Sequence, residues 1–278
     1  MQVVVLGSGA AEAIPDPFCC CAVCEAARQR GGPDVRARAA ALVNSDLLID
    51  LGPDIVSAAN RMRLYLGSLE SALITHRHSD HWLPDNLRWR EPGFAATPVA
   101  PLTIYGPADA LAALVPYTAR ATDLQVQVVT GGDRWRAGAY EITAVPATHG
   151  EGTLEALLYV VDDGTRRLFY ATDTSSLSDA ASEVLTPLGP VDLVLLDETA
   201  GRGSGGSGHH GLDKFLATRA RMLDSGVMGP NTTLVAHHFS HNGGLTHAEL
   251  VEQLRPYEVS VSYDGLTLDL SAGSPRGG

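Results

Sequence analysis

Thr75-His76-Arg77-His78-Ser79-Asp80-His81 follows directly on the apolar run Ala72-Leu73-Ile74. Side chains of an extended segment alternate between faces, so His76 and His78 project to the same side, while Asp80 and His81 sit where the chain turns. Imidazole and carboxylate are donors that zinc, manganese and iron all accept, and the aspartate offsets part of the cationic charge. Three histidines and an aspartate at the end of a strand therefore predict two metal ions sharing one short loop.

Most of the other histidines also cluster. Of the ten in the chain, at 76, 78, 81, 149, 209, 210, 237, 238, 241 and 247, only His149 and His247 stand apart. Around them, short β-branched or apolar runs bounded by Gly, Pro, Asp or Asn predict strands over 3–6, 40–43, 47–50, 71–75, 102–105, 124–129, 140–145, 156–161, 167–170, 193–196, 233–236 and 259–263. Helical patterns fall at 107–114, 211–223 and 247–254, the last opened by a capping box of Thr246 and Glu249. Many strands with sparse helices in both halves predict an α/β chain of two face-to-face sheets with helices outside. No internal repeat is legible. The run Gly201-Arg202-Gly203-Ser204-Gly205-Gly206-Ser207-Gly208 suggests a flexible loop, and 271–278 a frayed, disordered tail, leaving one domain over 1–270.

Composition narrows the partners. With 278 residues and 45% hydrophobic side chains the chain can bury a full core. A net charge of −12 repels polyanions, which disfavours bulk nucleic-acid binding. The opening Met1-Gln2-Val3-Val4-Val5-Leu6-Gly7 lacks a basic leader and suits a first strand, and no apolar run approaches the roughly 18 residues of a membrane span. A cytoplasmic protein with a small-molecule substrate and no membrane partner is expected, as a monomer or a homodimer. Cys19, Cys20, Cys21 and Cys24 are the four cysteines, too close together for a disulfide framework and better suited to holding a metal.

The pattern H-x-H-x-D-H after a hydrophobic strand resembles the signature of the metallo-β-lactamase superfamily. Four further segments resemble its elements: Leu6-Gly7-Ser8-Gly9-Ala10-Ala11 the first strand and turn, Ala144 to Gly150 the second-motif histidine, Leu168 to Thr174 the bridging aspartate, and Leu234 to His241 the terminal histidine. The resemblance implies an αββα four-layer sandwich. It gives one metal His76, His78 and His149, gives the other Asp80, His81 and His238, and makes Asp173 the bridge.

Within the superfamily, Cys19-x-Cys21-x-x-Cys24, with His241 three residues past the terminal metal histidine, resembles the branch typified by the phosphoribosyl cyclic phosphodiesterase of phosphonate catabolism. Leu48-Ile49-Asp50-Leu51-Gly52-Pro53-Asp54 resembles the second strand and turn of that branch. There three thiolates and one imidazole hold a structural zinc, an ordinary tetrahedral shell. Cys20 then lies outside the shell or replaces Cys19 in it. The pyrroloquinoline quinone type of cofactor-biosynthesis protein shares these cysteines.

The branch implies a metal-dependent phosphodiesterase in which a hydroxide between two divalent ions, zinc or manganese, attacks phosphorus in line. Asp80 would bind metal and orient the nucleophile. His209 or its neighbour His210, after the glycine-rich run, would protonate the leaving oxygen, and the spacing H-x-small-Leu favours His209. The alternatives are another metallo-hydrolase acting on a lactone or ester, an RNA-processing nuclease, and a cofactor-biosynthesis or carrier protein.

Overall fold

The computed structural model describes residues 1–118 and 123–270. The predicted tail 271–278 lies outside the described residues.

The strands in chain order are β1 (Gln2–Gly7), β2 (Ala40–Val43), β3 (Leu47–Ile49), β4 (Ser71–Leu73), β5 (Leu102–Gly106), β6 (Leu124–Val128), β7 (Arg134–Ala137), β8 (Tyr140–Pro146), β9 (Leu157–Asp162), β10 (Arg167–Ala171), β11 (Val191–Asp197), β12 (Met228–His237), β13 (Ser260–Val261) and β14 (Thr267–Asp269). One sheet runs β14-β1-β2-β3-β4-β5-β6 and the other β13-β12-β11-β10-β9-β8-β7. In each, antiparallel pairing gives way to parallel pairing, from β3 to β6 in the first sheet and from β10 to β13 in the second. The two halves thus share a topology that no sequence repeat announces. Parallel neighbours end at the same edge, so the loops after β10, β11 and β12 leave the second sheet side by side.

Alternation along the strands builds the layers. On β11, Leu193 and Leu195 enter the core between the sheets, while Val194 and Leu196 join a second cluster on the outer face. On β3, Leu47 and Ile49 point inward and Leu48 outward. Strands buried on both faces are apolar throughout, and each buried leucine contributes about 1.5–3 kcal/mol.

The helices are α1 (Ala22–Arg30), α2 (Ile55–Met62), α3 (Ala108–Leu111), α4 (Val115–Thr118), α5 (Asp179–Leu185), α6 (Leu212–Asp224) and α7 (His247–Leu254). Ile55 of α2 and Leu111 of α3 pack on the first sheet, and Leu185, Phe215 and Leu254 of α5, α6 and α7 on the second, completing the αββα sandwich. The capping box at α7 forms, with Thr246 N–H donating to Glu249 Oε2 at 2.9 Å. The helix predicted over 107–114 is instead α3 followed by a 3-10 turn, Ala112–Leu114. No described helix is long and apolar enough to cross a membrane.

Candidate metal centre

The loop after β4 brings its donors into contact with residues from the second sheet. His76 Nε2 lies 2.9 Å from His78 Nδ1, and His149 Nε2, from the loop after β8, lies 3.3 Å from that same atom. Beside this group, His81 Nε2 is 3.2 Å from both Asp80 Oδ2 and His238 Nε2. Asp173 stands between the two groups. Its Oδ1 is 3.6 Å from His149 Nε2, and its Oδ2 is 2.8 Å from His81 Nε2 and 2.9 Å from His238 Nε2. Despite these distances the buried Oδ2 makes no hydrogen bond of acceptable geometry. An orphaned carboxylate oxygen amid converging imidazole nitrogens fits two divalent cations, three protein ligands each, with Asp173 shared.

Backbone strain concentrates here. Asp50, Asp173 and His238 adopt φ of 65°, 52° and 66°, a left-handed conformation that costs non-glycine residues about 1–3 kcal/mol each and tends to persist at functional sites. Gly52 is required by close approach, because a Cβ there would come within 2.0 Å of the Asp80 carbonyl oxygen.

A second set of residues orients the first. His81 Nδ1 donates to the fully buried Asp50 at 2.6 Å, and Asp50 also accepts from the Thr75 backbone N–H and hydroxyl, each at 2.9 Å. Thr75 Oγ1 is 3.0 Å from His76 Nδ1, Thr199 Oγ1 is 2.8 Å from His238 Nδ1, and the Gly208 carbonyl accepts from His149 Nδ1 at 3.2 Å. Each of these leaves the opposite ring nitrogen free to face the centre. Burial disfavours charge on His81, yet the carboxylates of Asp173 and Asp50 hold its pKa well above the usual imidazole value. Burial likewise opposes ionisation of Asp173, but His238 and His81 hold its carboxyl well below the ordinary range. For Asp80 too, the His81 imidazole 3.2 Å away outweighs burial and keeps the carboxyl low.

Sequence reasoning singled out neither Asp50, Asp197, Thr75 nor Thr199 as a site residue. The signal available was an acid closing an apolar strand run, as Asp50 does after β3 and Asp197 at the end of β11.

The two candidate acids separate cleanly. His209 Nδ1 is 3.0 Å from Asp197 Oδ2, its Nε2 is 4.0 Å from Asp173 Oδ1, and its ring stacks 5.8 Å from that of His238. Burial pushes His209 down, but the hydrogen bond and charge of Asp197 carry it up to about 9. His210 is fully buried, with Nε2 2.9 Å from Thr218 Oγ1 on α6, so its ring packs against the helix and only His209 joins the cluster. The glycine-rich run before them, expected as a flexible loop, is anchored at its ends. Ala200 N–H donates to the His210 carbonyl at 2.8 Å, and a Cβ on Gly211 would meet the Gly203 carbonyl at 1.7 Å, so glycine here permits close packing.

The cysteines form a separate group. The ligand atoms of Cys19, Cys21, Cys24 and His241 lie within 4.8 Å of one another. A tetrahedral zinc with ~2.3 Å bonds to sulfur spaces its ligands about 3.8 Å apart, so the set suits that ion. Cys21 Sγ is 3.5 Å from His241 Nδ1. Burial alone would raise the Cys21 thiol, but the Cys24 backbone N–H and His241 bring it down to about 6, toward the thiolate a metal needs. Cys20 is exposed and stands outside the group.

Residues 46–239 match the family model described as a beta-lactamase superfamily domain. Among solved structures, a diphosphatase of the PhnP family is 25% identical with a TM-score of 0.76, covering 96% of each chain. Zinc-bound PqqB from Methylobacterium extorquens is 19% identical, TM-score 0.70, over 97% of this chain and 100% of that one. The short form of human tRNase Z is 18% identical, TM-score 0.65, over 97% and 99%. Among curated proteins, an octanoyltransferase of Porphyromonas gingivalis is 37% identical over 87 residues, which span 29% of this chain and only 16% of that protein. With the family model spanning most of the sequence and the sandwich shared from end to end, the chain belongs to the metallo-β-lactamase superfamily of hydrolases.

Proposed function

We propose that this hydrolase is a phosphodiesterase acting on a small, soluble phosphodiester, cyclic ones included. The observation that carries the reading is the Asp197–His209 pair set against the ligand cluster, with His209 Nε2 4.0 Å from Asp173 Oδ1. A phosphodiester with a poor leaving group gains from a proton donor on the departing oxygen. Two divalent cations, zinc or manganese, held by His76, His78, His149, Asp80, His81, His238 and the shared Asp173, would supply Lewis acidity and lower the pKa of water from about 16 to roughly 7. Asp80 serves as a ligand and orients the attacking water. His209, aligned by Asp197, gives its Nε2 proton to the leaving oxygen. Cys19, Cys21, Cys24 and His241 hold a structural zinc. The net charge of −12 favours a small substrate over a polynucleotide. The likeness to a PhnP-family diphosphatase adds support and brings diphosphates into the substrate panel.

One metal-loaded sample tests the proposal against a bis-aryl phosphodiester, a five-membered cyclic phosphate, a nucleoside diphosphate, a lactone and a tRNA precursor. Fastest turnover of the small phosphodiesters is expected. Turnover of the lactone or the tRNA precursor with no small phosphodiester hydrolysed overturns the reading, and so does inactivity toward every substrate at full metal content.

A further inference from the structure

Asp197 closes β11 as a buried hub. It accepts from the backbone N–H groups of Asp173 at 3.1 Å, Thr199 at 3.2 Å and His210 at 2.9 Å, and from the Thr199 hydroxyl at 3.0 Å. Peptide N–H groups only donate, so both carboxylate oxygens are committed as acceptors. The Thr199 hydroxyl has one proton, and Asp197 Oδ2 takes it. That hydroxyl also lies 2.8 Å from His238 Nδ1, toward which it can then only accept. The proton of His238 is thereby fixed on Nδ1, and the Nε2 lone pair faces Asp173 and His81.

We propose that Thr199 is a positioning residue that couples the two halves of the site: its hydroxyl sets the tautomer of His238 while its hydrogen bond to Asp197 aligns the carboxylate that also holds His209. The inference rests on reading His238 as a metal ligand. His81 contrasts with it, because Asp50 accepts its Nδ1–H directly at 2.6 Å without an intervening hydroxyl. Thr199 also reaches the cysteine cluster through the backbone, since its carbonyl accepts from Ser240 N–H at 3.1 Å, next to His241. One threonine thus touches His238, the partner of the proposed acid and the loop after β12 that leads to His241 of the cysteine cluster.

The test uses the full chain and zinc, with affinity read by competition against a chromophoric chelator. Thr199→Val keeps the shape but removes the relay, and should weaken one of the two His/Asp-held zincs by about 10- to 100-fold, while Thr199→Ser stays within about threefold of wild type. Histidine-selective 15N NMR of zinc-loaded wild type should show His238 protonated at Nδ1, a result that needs no variant and so stands even if Thr199→Val misfolds. Unchanged zinc affinity in Thr199→Val, or an unprotonated Nδ1 on His238, overturns the proposal. Absence of phosphodiester turnover would count against the proposed activity alone, whereas a wild type that binds zinc only at the cysteines would overturn the metal reading and this inference together.

Discussion

His209 Nδ1 stands 3.0 Å from Asp197 Oδ2, and this contact leaves Nε2 facing Asp173 at 4.0 Å, at the rim of the ligand cluster. A general acid matters in proportion to how poor the leaving group is. His209→Ala should slow a cyclic or alkyl phosphodiester by about 100- to 10,000-fold and a nitrophenyl diester far less, with metal content unchanged. Equal losses on both substrates would mean that His209 positions substrate rather than donating a proton. His210→Ala removes the contact to Thr218 and should lower stability without any dependence on the leaving group.

Asp173 offers one oxygen to each half of the cluster, so Asp173→Ala removes a ligand from both at once. Elemental analysis of desalted, metal-loaded wild type should find three metals, two in the His/Asp cluster and one at the cysteines. Asp173→Ala should lose metal from the cluster, keep the cysteine-bound zinc and fall below about one hundredth of wild-type turnover. Full activity in wild type with a single metal equivalent would falsify this assignment.

At the cysteine cluster, metal binding and folding share free energy, because the site exists only in the folded chain. Cys21→Ser and Cys24→Ser should each lower the Tm, by about 2–4 °C for every kcal/mol lost at this chain length, and should lose the zinc. Cys20→Ser, at an exposed position outside the ligand group, should melt with wild type. Retained zinc and an unchanged Tm in both of the first two variants would exclude the structural site.

Glu198 is buried with both carboxylate oxygens unpartnered. Burial first, and then the charge of Asp197, push its carboxyl from 4.5 up to about 9, against an opposing pull from Arg36. A pKa raised on folding means that the folded state keeps a proton the unfolded chain releases. The contribution of this group is therefore whole below pH 4.5 and lost as pH rises toward 9. Glu198→Gln, which mimics the neutral acid, should leave Tm almost unchanged near pH 4.5 and raise it at pH 8, flattening the alkaline decline. A variant less stable than wild type at pH 8 would show that the carboxylate is charged and paired.

The sequence by itself determined the layers and most of the residues that gather at the candidate site. Apolar runs such as Leu193 to Leu196 are buried on both faces and are therefore legible whatever they pack against, and donors crowded into one loop, such as His76, His78, Asp80 and His81, announce their chemistry by spacing alone. Short elements escaped it: α1, α2 and α5 span 9, 8 and 7 residues, too few turns for a period to show, and lack the capping box that announced the equally short α7, and β7 (Arg134-Trp135-Arg136-Ala137) is an edge strand with two arginines among its four residues. Tertiary structure decided what spacing cannot express. It turned His210 into α6 and His209 toward Asp173, although the two are adjacent in the chain. It made Asp50 and Asp197 partners of His81 and His209 across 31 and 12 positions. A hydrogen bond depends on direction and on which proton is already committed, and those are fixed only when strand ends from both sheets meet at one edge of the sandwich.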